Sequence, residues 1–381
     1  TPLCVAHSHY SPARPAVAVA VAVWLSRTRR ASTRELRMRV GTSSSSGALP
    51  HPFDAQEASL PRLVQAALCV LSPLFLVLVV VRILLFLLAA VLMAVVCSLA
   101  TTGKRDELPL TGVRRSFSRI GVAVAGRLLL LTFGCWPGLF TVNGKWDTSC
   151  PAIAVAPHAG ALDGFIFLCL GFPRPVILEP YAKIPVVKQI LRAANALLVP
   201  IQSSAKSRAV SAVDGGAKKT NATADAILRH KRSYEPGASG AAPVVLFAEG
   251  ITHSGRQLLP FFRGAFEGGS PVQPVVLRYP YTYHNAAAWT RPFLDSLGTH
   301  LGRMLCTPWM RITVDYLPAH RPSAAEAQDG QLMAEAVRVQ MASLSGLPIH
   351  HIGARELRSE IKEEAEQREA AKAAKGGKEL C

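Results

Sequence analysis

The sequence predicts an α/β domain attached to a membrane through an apolar segment near its N-terminus. Two observations carry that prediction. From about residue 141, short apolar runs at 153–156, 197–201, 244–247 and 272–277 alternate with helix-like stretches at 165–170 and 186–196, the pattern of buried strands joined by helices. Upstream, residues 63–100 are apolar almost without a break, 63–81 and then 83–100, with Arg82 between them.

Taken in order, residues 1–62 are low in complexity. An Ala/Val run at 16–25 is followed by Arg27, Arg29, Arg30, Arg34, Arg37 and Arg39 and then by Ser43 to Ser46. A run of about ten residues is too short to span a bilayer, and its charges lie on the wrong side for a secretory signal. This region is predicted disordered, and no targeting function is assigned to it. Residues 63–100 form the membrane anchor. A span needs about 20 residues, so the segment allows one long tilted span or two half-spans folding back as a re-entrant hairpin. Arg82 at the bilayer centre would cost about 3 kcal/mol, which favours a place near a headgroup, at a hairpin turn or at a helix end. Residues 101–140 link the anchor to the domain. Their apolar part, 120–140, is broken by Gly126, Arg127 and Pro137 and reads as an interfacial or protein-packed helix.

The main domain covers 141–350. Within it, 203–242 is rich in Ser, Lys, Gly and Ala, with a helix expected near 217–229 followed by a flexible connection. Residues 351–381 form a charged helical tail with a Glu364–Arg368 pair at i,i+4 and little apolar surface, expected to be solvated.

Composition narrows the partners. Lys and Arg number 42 against 25 Asp and Glu, a formal charge of +17, which calls for an anionic partner. Zinc-ligand spacing, basic strands interleaved with aromatics and a helix-turn-helix pattern are all absent from the sequence, so nucleic acid is not expected. Arginines beside an apolar anchor favour an anionic bilayer instead. The eight cysteines show neither Cys-x-x-Cys nor paired spacing, as in a reduced, cytosol-facing protein without a disulfide framework or metal site.

The chemistry-bearing residues fall in three blocks. The first is Ala156-Pro157-His158-Ala159-Gly160-Ala161-Leu162-Asp163, a His-x4-Asp pair between a strand and a helix. The second runs from Phe247 through Ala248, Glu249, Gly250, Ile251 and Thr252 to Arg256, and the third from Pro271 to Pro280. A histidine beside a carboxylate suits general acid–base chemistry, because histidine titrates near neutrality. A carboxylate beside it fixes the tautomer and stabilises the developing imidazolium. A Gly-x-Ser-x-Gly sequence is absent, against an α/β-hydrolase. Alone, His158 would read as a capping or surface histidine.

In this order the three blocks resemble the glycerolipid acyltransferases, and within them the lysophosphatidylcholine and lysophosphatidylethanolamine acyltransferase branch. The resemblance covers about residues 50–350 and is strongest over 152–282. It implies that His158 is the catalytic base and Asp163 its partner, and that Glu249 and Gly250 help bind the acceptor. The usual Phe-Pro-Glu-Gly-Thr core is altered at Ala248 and Ile251. Thr252 replaces an Arg common in the phosphate-acceptor relatives, which leans toward the lysophosphatidylcholine/ethanolamine branch. Arg263 is a candidate phosphate contact, with an exposed loop arginine as its alternative, and Arg278 is either structural or phosphate-facing. The resemblance further implies acyl-CoA as co-substrate without a bound cofactor or metal, a lysophospholipid acceptor, and a site on the cytosolic face of the endoplasmic reticulum. The nearest alternative is a 1-acylglycerol-3-phosphate acyltransferase. A catalytically silent membrane scaffold of the same fold is another, kept open by Ala248 and Ile251 and opposed by the intact His158/Asp163 pair.

Overall fold

The computed structural model describes residues 49–54, 71–104, 108–199, 222–238, 240–281, 283–290 and 295–376. The chain divides into two compact units, Thr1–Leu49 with Leu60–Leu78, and Pro50–Ser59 with Val79–Cys381. Of the first, the described residues are Leu49 and 71–78, which open a long helix; the second holds the domain. The Ala/Val run at 16–25 and the stretches 55–70 and 200–221 lie outside the described residues.

The domain is built on a seven-stranded sheet in the order β1-β7-β6-β2-β5-β3-β4. Its strands are β1 Phe140–Asn143, β2 Ala152–Ala156, β3 Arg174–Leu178, β4 Leu197–Val199, β5 Val244–Phe247, β6 Val272–Arg278 and β7 Ile312–Tyr316. Strands β6, β2, β5, β3 and β4 are mutually parallel, whereas β7 runs antiparallel to β6 and carries β1 parallel to itself. Parallel strands need helical cover on both faces, and β2 is buried along its whole length. Its side chains alternate accordingly. Ile153 and Val155 enter a core with α2 (Gly112–Thr132), α3 (Leu162–Gly171) and α6 (Leu297–Leu305). Ala152, Ala154 and Ala156 face α5 (Ala222–Arg232) and α8 (Gly330–Ser345) on the other side. The remaining helices are α1 (Ser72–Thr101), α4 (Pro185–Ala193), α7 (Ala324–Gln328) and α9 (Ala354–Gly376).

The α/β expectation holds, and all four expected strands are present; β1, β3 and β7 were not foreseen. Four other expectations are corrected. Helix α1 runs unbroken through Arg82, so the chain makes no hairpin turn there. Nor does Arg82 face a headgroup: it is 2% exposed. Its guanidinium donates to the carbonyls of Leu305, Thr307 and Pro308 at 3.2, 2.5 and 2.9 Å and lies over the Trp136 ring. The cation thus meets the last carbonyl of α6 and two carbonyls of the segment that follows it, at the negative end of the helix dipole. Third, residues 50–54 are docked on the domain rather than disordered, with Ser254 N donating to Pro52 O at 2.9 Å and Gln257 Nε2 to Pro50 O at 3.2 Å. Fourth, the first turns of α9 are packed. Ala354, Leu357 and Ile361 are buried against Ile251 and Leu259, and solvation begins beyond them, where Glu364 and Arg368 pair as expected at 2.9 Å.

The outer surface of α1 is apolar, with Leu84, Leu88, Val91, Val95 and Leu99 all exposed. By length and composition the helix can cross a membrane.

Candidate active site

Strand β2 ends at Ala156, and α3 begins at Leu162. The connection between them carries His158 and presents Asp163 in the first turn of the helix. His158 Nδ1 lies 2.7 Å from Asp163 Oδ2. The same oxygen accepts from the backbone N–H groups of Ala159 at 2.8 Å and Gly160 at 3.2 Å. The other, Oδ1, accepts from the Tyr279 hydroxyl at 2.5 Å. Asp163 is therefore a fully buried acceptor surrounded by donors, so the proton between it and His158 sits on Nδ1. That leaves the Nε2 lone pair free, and Nε2 has no partner among the described residues. The ring is 18% exposed. Its face stacks on Phe247, the last residue of β5, with centroids 4.1 Å apart.

Tyr279 follows β6, the parallel neighbour of β2, in which Val276 stands opposite Ala156. Burial, then the Asp163 carboxylate, raises its pKa well above the ordinary phenol value, so it stays a donor. Tyr279 has no role in the sequence reading. Strand register decides it, because register brings the end of β6 beside the β2–α3 turn.

Glu249 lies behind His158. Its carboxylate is fully buried; Oε2 accepts from the His158 backbone N–H at 2.8 Å and from His253 Nε2 at 2.9 Å, and Oε1 from the Leu259 N–H at 2.8 Å. No face of this carboxylate is open to an acceptor lipid; it shapes the turn that carries His158. Gly250 adopts φ +65, and a Cβ there would collide with the Phe262 ring, which explains glycine after Glu249. Its carbonyl accepts from Arg358 of α9 at 2.7 Å.

The two arginines stand apart from the pair. Arg263, in a short 3-10 turn, is 61% exposed and binds Glu267 at 2.6 Å. Arg278 precedes Tyr279 on β6 and so points to the opposite face of the sheet, where it pairs with Asp315 and donates to Ser345 O at 3.3 Å. Both its bonds hold the fold, the structural one of the two roles expected for it.

Among the described residues the buried cysteines do not supply a ready nucleophile. Burial pushes the Cys135 and Cys150 thiols up to about 11 and Cys169 to about 12, leaving no appreciable thiolate near neutral pH. Acid–base chemistry by a tautomer-fixed histidine, on a parallel sheet at the strand ends, is what the site offers.

That class has a family. Residues 140–278 match the Acyltransferase family model, and the chain belongs to the acyltransferases. It is 30% identical over 308 residues to human "Lysophospholipid acyltransferase LPCAT4", covering 79% of this chain and 54% of that protein. To Arabidopsis thaliana "Lysophospholipid acyltransferase LPEAT1" it is 32% identical over 204 residues, covering 53% of this chain and 47% of that one. The chain thus spans about half the length of the curated relatives it matches. The solved 1-acyl-sn-glycerophosphate (LPA) acyltransferase PlsC from Thermotoga maritima aligns at 16% identity with a TM-score of 0.41, covering 70% of this chain and 95% of that chain.

Proposed function

We propose that the protein is a membrane-attached, acyl-CoA-dependent lysophospholipid O-acyltransferase that re-acylates lysophosphatidylcholine or lysophosphatidylethanolamine. The observation that carries this reading is His158 with Nδ1 held by Asp163 and Nε2 free. Nε2 takes the proton of the lysolipid hydroxyl as its oxygen attacks the thioester carbonyl. The tetrahedral intermediate collapses with loss of the CoA sulfur, and the Nε2 proton passes to that leaving thiolate. Asp163 stabilises the imidazolium between the two transfers. Acyl-CoA is a co-substrate here, and the scheme uses no metal or bound cofactor.

The lysolipid names of the relatives support the acceptor class, and Thr252 in place of an arginine favours a choline or ethanolamine headgroup. The apolar outer face of α1 supports a bilayer location, which we assign to the endoplasmic reticulum with the site facing the cytosol. Glu249 and Gly250 serve the acceptor indirectly, by shaping the turn that carries His158. Arg263 is the remaining candidate for the acceptor phosphate, since its guanidinium reaches solvent.

The test is release of free CoA thiol by purified full-length protein in detergent micelles, with one acyl-CoA and a panel of lysolipids. His158→Ala should lower the rate roughly 10²–10⁴-fold. Turnover of lysophosphatidic acid alone would overturn the acceptor assignment, and near-native turnover by His158→Ala the mechanism.

A further inference from the structure

Glu249 poses a physical problem. It is a fully buried carboxylate, and among the described residues no Lys or Arg pairs with it. A buried charge without a countercharge must be satisfied by donors. Two of its three are backbone N–H groups, of His158 and Leu259; the third is the side chain of His253.

His253 is itself fully buried. The Gly255 N–H points at its Nδ1, 3.3 Å away, which places the ring lone pair on Nδ1 and the proton on Nε2, facing Glu249. Its backbone N–H donates to the carbonyl of His158 at 3.0 Å. Both main-chain polar groups of His158 are therefore held by one unit, the N–H through Glu249 and the C=O by His253 directly.

We infer that His253 is a positioning residue for His158: its neutral imidazole, donating from Nε2, fixes the Glu249 carboxylate that in turn fixes the His158 backbone. This rests on His158 being the base. It deepens that reading by naming what holds the imidazole in place. A catalytic group needs such support, because a displacement on the order of 1 Å costs about 10²-fold in rate.

Two amides separate the ends of the His253 ring. His253→Gln can put its N–H near the Nε2 position and keep the donor to Glu249. His253→Asn reaches only the Nδ1 position and loses it. The assay is steady-state turnover of the full chain in micelles, expressed per acyl-CoA site, with sites counted by equilibrium binding of a non-transferable acyl-CoA thioether. His253→Asn should lower kcat per site about 10–100-fold with both KM values within about twofold of native, whereas His253→Gln should keep kcat within about threefold. In a Glu249→Gln background, His253→Asn should add less than about threefold, since the shared connection is already broken.

The inference is overturned if His253→Asn keeps native kcat per site, if its loss lies only in KM or in the number of sites, or if the two substitutions multiply. Should His253→Asn yield no binding sites, His253→Gln decides: a loss equal to that of His253→Leu, at full site number, removes any role for the Nε2 donor. Failure of the general-base reading is distinguishable, because it would show as near-native turnover by His158→Ala.

Discussion

Asp163→Asn isolates the charge of the carboxylate from its hydrogen bonding, because the geometry tells how the amide would sit. Asp163 Oδ2 receives three donors, His158 Nδ1 and the N–H groups of Ala159 and Gly160, whereas Oδ1 receives one, the Tyr279 hydroxyl. An asparagine with its oxygen on the three-donor side keeps every one of those bonds. Its NH2 then meets a hydroxyl that can rotate to accept. The tautomer of His158 survives, and only the stabilisation of the imidazolium is lost. For charges about 4 Å apart at an effective dielectric of about 20 that interaction is about 4 kcal/mol. With partial charge development, about 3 kcal/mol is a fair share, or roughly two decades in rate. We therefore expect Asp163→Asn to lower kcat about 10²-fold at saturating acyl-CoA and lysolipid, with KM little changed. Adding Tyr279→Phe should deepen the loss, since the amide NH2 then has no acceptor and its preferred orientation disappears. The assay is thiol release under single-turnover and steady-state conditions. Activity of Asp163→Asn within about threefold of native would refute the pairing of His158 with a catalytically required anion.

Gly250→Ala should destabilise the domain by about 1–2 kcal/mol, from the left-handed backbone at φ +65, read as a loss of roughly 2–8 °C in thermal unfolding. Arg278→Ala should lower stability while leaving the KM for lysolipid unchanged, because its bonds go to Asp315 and Ser345. Arg263→Ala should raise the lysolipid KM about 10-fold or more without changing the acyl-CoA KM; a change confined to acyl-CoA moves it to the donor side, and no change makes it a surface partner of Glu267. Replacing Leu84, Leu88, Val91 and Val95 together with serine should remove about 6–12 kcal/mol of apolar transfer and shift the protein to the soluble fraction on carbonate extraction; full retention would show that α1 is not the anchor.

Much of the site was legible because its residues are close in sequence. His158 and Asp163 lie on either side of one helix start, so spacing alone placed them face to face. Tyr279 and His253 were not legible that way. Tyr279 reaches Asp163 across 116 residues, through a strand register that no local pattern specifies. His253 stands only four residues after Glu249, but its partner is a carboxylate expected to face the acceptor, and its burial is not written in its neighbours. Arg82 was misplaced for a related reason. Hydropathy records the cost of a charge in lipid but not the three carbonyls at the end of α6 that relieve it. In α9, the apolar positions 354, 357 and 361 form a stripe two turns long, too short to stand out in a charged helix.

Gly126 shows how the same segment serves two ends. In the sequence it reads as a break in the apolar run 120–140. In the fold it lies inside α2, and a Cβ there would collide with the Cys169 sulfur of α3. Glycine thus lets α2 pack hard against α3, with Val122 and Ala125 buried beside Leu168. Helix α3 is the element whose first turn holds Asp163. The opposite side of α2 exposes Val113, Phe117, Ile120, Val124 and Leu128, a stripe at helical spacing. One helix therefore presents apolar side chains outward and braces the helix that carries Asp163 inward. That arrangement ties the position of Asp163, and through it His158, to the apolar outer surface of α2, because α2 packs directly on the helix whose first turn holds Asp163.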